Sequence, residues 1–127
     1  MKSFAKYHLP AVLYAAAILI IPSLPGFRTP AVRFLVSDKL AHFLEYAVFA
    51  LLAYRSVSHW SERLQPRMMF LISFLVLAVF AVVDEVLQRF IPGRQTDIWD
   101  YVADLCGGVA VYGLLVWWRR RRSRTRG

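Results

Sequence analysis

Apolar residues in this chain run in four long stretches separated by short polar segments. The first is Leu9–Ile21, punctuated by Pro10 and closed by Pro22; the second is Leu40–Tyr54, behind Asp38-Lys39. The third, Met68–Phe90, is the longest, and the fourth is Ile98–Trp118. A helix rises 1.5 Å per residue, so crossing a hydrocarbon layer of about 30 Å takes about 20 residues. The third and fourth stretches reach that length alone. The first two reach it with flanking residues, which places the spans at 9–25, 38–55, 68–90 and 98–118. The pattern predicts an all-α integral membrane bundle of four transmembrane helices, a single domain over 1–118, followed by a basic tail, 119–127.

Composition narrows the class. Apolar residues make up 58% of the chain, against roughly 45–50% in soluble domains. That excludes a disordered chain. Cys106 is the sole cysteine, which excludes a disulfide scaffold or a zinc ribbon and reads as a small packing residue. The net charge of +8 is compatible with nucleic-acid binding in a soluble domain, but not with runs of this length, so no nucleic-acid partner is expected. Lys2 and Lys6 before a short apolar run resemble a signal peptide, but Pro22-Ser23-Leu24-Pro25-Gly26 lacks a small-residue cleavage site. The first stretch is therefore expected to remain as a span.

The charge instead reports topology. With four spans both termini share one side. That side holds Lys2, Lys6, Arg55, Arg63, Arg67 and the six arginines after Trp118, against Glu62 as its single acid. The other side holds Arg28, Arg33, Lys39, Arg89 and Arg94, with seven acids: Asp38, Glu45, Asp84, Glu85, Asp97, Asp100 and Asp104. Cytoplasmic loops carry the excess of cations, so both termini are expected to be cytoplasmic and the acids to face outward. Trp117-Trp118 before the arginines reads as an inner interface anchor, and Trp99 and Tyr101 mark the outer interface.

The acids fall in register. Asp38, His42, Glu45 and Tyr46 stand at i, i+4, i+7 and i+8, one helical face. Asp84 and Gln88 stack at i, i+4 beside Glu85 at the end of the third stretch, before a Pro92-Gly93 turn and Arg94. Asp97, Asp100 and Asp104 open the fourth at i, i+3 and i+7. Asp97 and Asp100 suit helix capping, whereas Asp104 and Glu45 lie too deep for it. An ionised group inside a span costs a few kcal/mol, so each needs a partner: His42, Arg94, Lys39, a shared proton, water or a metal. Gly107 and Gly108 read as a place where a neighbouring helix approaches closely.

Three blocks together carry a family resemblance: Asp38-Lys39-x-x-His42-Phe43-x-x-Tyr46, Asp84-Glu85-x-x-Gln88-x-Phe90-x-Pro92-Gly93-Arg94, and Asp100-x-x-Ala103-Asp104-x-x-Gly107. Over roughly residues 34–115 the chain resembles the VanZ-like family of small bacterial membrane proteins. It differs in having Asp104 where the family usually has Asn, and Val111 at the spacing of a usual glycine. The resemblance implies a multi-pass protein of the bacterial cytoplasmic (inner) membrane with a role in the cell envelope, of the kind linked to teicoplanin-type glycopeptide resistance.

Two functions from different classes fit these residues. In the first, an outward-facing polar pocket of Asp38, Lys39, His42, Tyr46, Asp84, Glu85, Gln88, Arg94, Asp100 and Asp104 binds or shields an envelope component. Its ligand would be a cell-wall precursor, a lipid headgroup or a glycopeptide. The alternative is a small intramembrane hydrolase or transferase acting on a lipid-linked substrate, with His42, Asp84, Glu85 and Arg94 as catalytic candidates. A metal-assisted version would draw on His42-x-x-Glu45 with Glu85 and an aspartate, but no metal and no cofactor is the expectation. The bilayer is the expected partner, with homo-oligomerisation left open.

Overall fold

A computed structural model describes residues 2–24, 38–60, 64–92 and 96–125. All regular structure among them is helical: α1 (Lys2–Tyr7), α2 (Leu9–Ile20, extended by a 3-10 turn at Ile21–Ser23), α3 (Asp38–Ser58), α4 (Pro66–Gln88) and α5 (Ile98–Arg124). Three helices, α3, α4 and α5, are long and apolar enough to cross a membrane. The first apolar stretch forms a shorter helical segment, Leu9–Ser23, and the end predicted at residue 25 lies outside the described residues. Pro10 has no N–H for the carbonyl of Lys6, which separates α1 from α2. Two hydrogen bonds, His8 N to Phe4 O (2.9 Å) and Val12 N to His8 O (3.1 Å), carry the helical path across that break.

Proline and aspartate set the other boundaries. Pro66 stands in the first turn of α4, where no N–H is required. Arg89 and Phe90 follow Gln88 in a tighter turn, bonded to Val86 O and Leu87 O, before Pro92. Asp97 caps α5, its side chain accepting from Trp99 N at 2.9 Å. α5 does not stop at Trp118 but continues through the arginines to Arg124. There Arg121 lies over the Trp117 ring and Arg122 over the Trp118 ring.

Side-chain contacts give the helix directions. Tyr7 stacks on His59 with ring centroids 3.6 Å apart, and Tyr14 OH donates to Glu45 O at 3.2 Å, so α1 and α2 run antiparallel to α3. Tyr46 meets Asp84 and Tyr54 stacks on Phe70, so α4 is antiparallel to α3 as well. Lys39 meets Asp97 and Tyr54 meets Tyr112, so α5 runs parallel to α3. Arg119 lies over the Tyr54 and Phe70 rings. Both ends of the described chain are therefore at one end of the bundle, with Lys6, Arg55, Arg67 and the arginines of α5. The acids gather at the other end.

The core is a row along each helix. On α3 it is His42, Tyr46, Phe49, Ala50, Ala53, Tyr54 and Val57; on α4, Ser73, Leu77, Ala81, Asp84 and Gln88; on α5, Asp100, Asp104, Gly107, Gly108 and Tyr112. Ile18 of α2 joins them. The outward faces remain apolar: Leu71, Leu75, Val76, Val79, Val82, Val83, Val86 and Leu87 of α4 are all exposed. Water would penalise such a surface, whereas lipid tails match it. Cys106 also faces outward, which corrects its reading as a packing residue. The two glycines do pack. A Cβ on Gly107 would run into the carbonyl oxygen of Phe43 and lie 3.0 Å from Ala47 N, and one on Gly108 would lie 2.9 Å from Leu77 Cδ1. Their bare backbone lets α5 approach α3 and α4 closely.

Candidate functional site

The buried row of each spanning helix turns polar at the same end of the bundle. The apolar row of α3 ends in Tyr46 and His42, that of α4 in Asp84 and Gln88, that of α5 in Asp104 and Asp100. All six are less than 5% exposed. The three helices bring together what the i, i+3/i+4 spacings align on each of them separately.

A chain of contacts links α3 to α5. Lys39 Nζ donates to Asp97 Oδ2 at 2.7 Å and to Asp100 Oδ1 at 3.0 Å. His42 Nδ1 lies 2.9 Å from Asp104 Oδ1, and its Nε2 faces Asp100 Oδ2 at 3.8 Å. With Asp104 ionised, its carboxylate only accepts, which places the proton of this bond on Nδ1 and leaves Nε2 as the basic nitrogen. Asp104 is about 10 Å further along α5 than Asp97 at 1.5 Å per residue. The network thus runs from the exposed surface into the bundle. On its other flank Tyr46 OH donates to Asp84 Oδ2 at 3.2 Å, joining α3 to α4.

Two acids have a local structural task. Glu85 Oε1 accepts from Asp97 N at 2.9 Å and so fixes the start of α5 against the end of α4. Asp97 is the helix cap and also a partner of Lys39. The Lys39 hydrogen bond, with that from Trp99 N second, holds the Asp97 carboxyl below its usual value. Asp97 belongs to the network although capping alone accounted for it in the sequence. The signal was its place three residues before Asp100, facing the same neighbour. Asp100 does not cap; it faces Lys39 and His42.

Asp38 is exposed at the first turn of α3. It shares with His42 and Asp100 a cluster in which each residue offers one donor atom and the donors lie within 4.8 Å of one another. Glu45 is half-buried and presents its backbone carbonyl to Tyr14. Gln88 is 2% exposed, and its Oε1 has no hydrogen-bond partner among the described residues. Arg94, expected as a cation of the site, lies outside the described residues. Among the described residues, the cluster that could hold a metal is Asp38, His42 and Asp100.

Chemically, the arrangement offers a histidine held in one tautomer by a buried carboxylate, a lysine held by two acids, and a surplus of acceptors. It can receive hydroxyl, amine and amide donors, and it can take a proton at His42 Nε2. The profile of the VanZ/LLP1 family matches residues 4–119. An uncharacterized protein of the fission yeast Schizosaccharomyces pombe is 31% identical over 106 residues, which are 83% of this chain and 62% of that protein. The chain thus spans less than two thirds of that relative's length. No solved structure matches significantly.

Proposed function

The chain belongs to the VanZ/LLP1 family, and on that premise we propose that it is a multi-pass membrane protein that binds a lipid headgroup or lipid-linked envelope component at its acidic end. In this reading Lys2–Ser23 supplies a fourth crossing, the arginine-rich end is cytoplasmic by the excess of cations, and the acidic end faces outward. The observation that carries the proposal is the network Lys39–Asp100–His42–Asp104, whose last three members are buried where three apolar rows end. Ion pairs buried in this way stabilise a fold poorly compared with apolar packing, and ionisable groups in spans mark ligand paths. Asp38 and Lys39 give the network an exposed edge at headgroup level, beside exposed Trp99.

A relative in a eukaryote favours a ligand common to both kinds of membrane, hence a headgroup over a cell-wall peptide. In a bacterial inner membrane the same binding would shield an envelope component from a teicoplanin-type glycopeptide. Arg94 would meet an anionic or carbonyl group of the ligand. A photoreactive residue in place of exposed Ile98, next to the network, tests the proposal in intact cells. It should crosslink to a specific headgroup-bearing lipid or lipid-linked precursor, whereas the same residue in place of Trp117, at the opposite end, should not. Identical adducts from both positions would refute it.

One observation favours an enzymatic version. His42 Nδ1 is anchored on Asp104, the orientation a general base needs to present Nε2 to a hydroxyl or water. His42 would then activate the nucleophile on a lipid-linked substrate. His42→Gln separates the two readings, because Gln hydrogen-bonds but does not take up a proton near neutral pH. A folded variant that retains function indicates binding; a folded, inactive one indicates catalysis.

A further inference from the structure

Exposed Asp38 and buried His42 and Asp100 bring three potential metal-ligating atoms together at the outer end of the network. Donors bound to one ion at about 2.1 Å each, at tetrahedral to octahedral angles, stand roughly 3–3.5 Å apart. The donor atoms of Asp38, His42 and Asp100 lie within 4.8 Å of one another. His42 Nε2 and Asp100 Oδ2 face each other at 3.8 Å, too far apart for a hydrogen bond. The other ring nitrogen of His42 is held by Asp104, and the second nitrogen of metal-bound histidines is commonly held by a carboxylate, a backbone carbonyl or water.

Gln88 is an independent pointer. It is 2% exposed with Oε1 unpartnered among the described residues. It lies on the single buried row of α4, which faces α3 and α5. Tyr46 meets Asp84. One turn before Tyr46 on α3 is His42, and one turn beyond Asp84 on antiparallel α4 is Gln88. The amide is therefore level with His42 on the buried face of α4, where a metal-bound water would satisfy it. Charge agrees among the described residues: Lys39 pairs with Asp97 and Asp100, occupying Asp100 Oδ1 and leaving Oδ2, while Asp38 and Asp104 add two further carboxyls around His42.

We propose that Asp38, His42 and Asp100 bind one divalent transition-metal ion at the acidic end of the bundle. The imidazole nitrogen favours Mn²⁺, Fe²⁺ or Zn²⁺ over Ca²⁺ and Mg²⁺. Three protein ligands leave coordination positions open for water or a ligand oxygen, and exposed Asp38 marks the way in. The site goes beyond headgroup binding and does not depend on it.

The test is Mn²⁺ titration of the chelator-stripped full-length protein in detergent, reading free Mn²⁺ by its aqueous EPR signal. Wild type should bind one equivalent, displaced by Zn²⁺ but not by a tenfold excess of Ca²⁺. Asp38→Asn, at an exposed position that leaves the core intact, should weaken binding at least tenfold. Asp97→Asn removes a carboxylate from the same surface but no ligand, and should weaken it less than threefold. Absence of saturable binding up to millimolar Mn²⁺ overturns the site. Equal losses in the two variants also overturn it, because they describe a diffuse acidic surface. No lipid takes part in the measurement, so either result stands apart from the headgroup proposal.

Discussion

His42 on α3 and Asp104 on α5, separated by 62 positions in the chain, are joined by a 2.9 Å hydrogen bond with both side chains almost fully buried. The bond ties the parallel pair of helices at the depth where the apolar rows end. It also decides which nitrogen of His42 faces Asp100. A buried polar group that loses its partner costs about 1–3 kcal/mol. Asp104→Leu, which strands the ring nitrogen, should lower stability by about that amount. Asp104→Asn keeps the acceptor and the shape and should cost less than about 1 kcal/mol by the same reasoning. Thermal unfolding in detergent distinguishes them; equal destabilisation would show that charge, not the hydrogen bond, is what α3 and α5 share.

The close approach of α5 to α3 rests on one glycine. A Cβ at Gly107 meets backbone atoms of Phe43 and Ala47, which cannot move unless the helices part. Gly107→Ala should destabilise by about 1–3 kcal/mol, the usual cost of overpacking. Gly113→Ala, with nothing within 4 Å of the new Cβ, should be neutral or stabilise the helix by up to about 1 kcal/mol. Melting temperatures of the pair check this, and equal effects would mean that the approach at Gly107 is not tight.

The pairing of Asp97 with Lys39 makes stability depend on pH in a defined direction. The folded carboxyl lies below its usual value because of the Lys39 hydrogen bond. The unfolded state then binds more protons, so the contribution is present above the ordinary carboxylate value of about 3.9 and is lost as the pH falls below it. The melting-temperature difference between wild type and Asp97→Asn should hold from neutral pH to about 5 and shrink as pH drops through about 4. A difference independent of pH would assign it to the cap alone.

Sidedness follows from the cations. A cytoplasmic reporter fused after Thr125 should be active, and one inserted near Gly26 should report the opposite side. The reverse pattern would turn the network toward the cytoplasm.

Much of this was legible in the chain because helical spacing needs no partner to be read. Asp100 and Asp104, or Asp38 and His42, share a face by their numbers alone. Glycines beside Cys106 announce a close helix approach before the neighbour is known. What spacing cannot supply is the pairing between helices. Lys39 reads as a ligand-binding cation, and its partners Asp97 and Asp100 come from another helix. Glu85 reads as a site carboxylate, and it also fixes the start of α5 through Asp97 N. The first apolar stretch reads as a span over 9–25; among the described residues it is one helix from Leu9 to Ile20, with Pro10 in its first turn and a 3-10 turn at Ile21–Ser23. The pairings of Lys39 and Glu85 join residues 12 to 61 positions apart, which no local pattern encodes.

On this reading the polar network at the acidic end holds a membrane-derived ligand. Native mass spectrometry of the protein released from mild detergent tests it most directly, comparing wild type with Asp100→Asn. Asn keeps the shape of Asp100 but removes the charge shared with Lys39 and His42. Wild type should retain a defined lipid or lipid-linked species in one-to-one ratio. The variant should lose most of it while remaining helical and membrane-inserted. Equal retention by both proteins, or no retained species in wild type, would contradict the account.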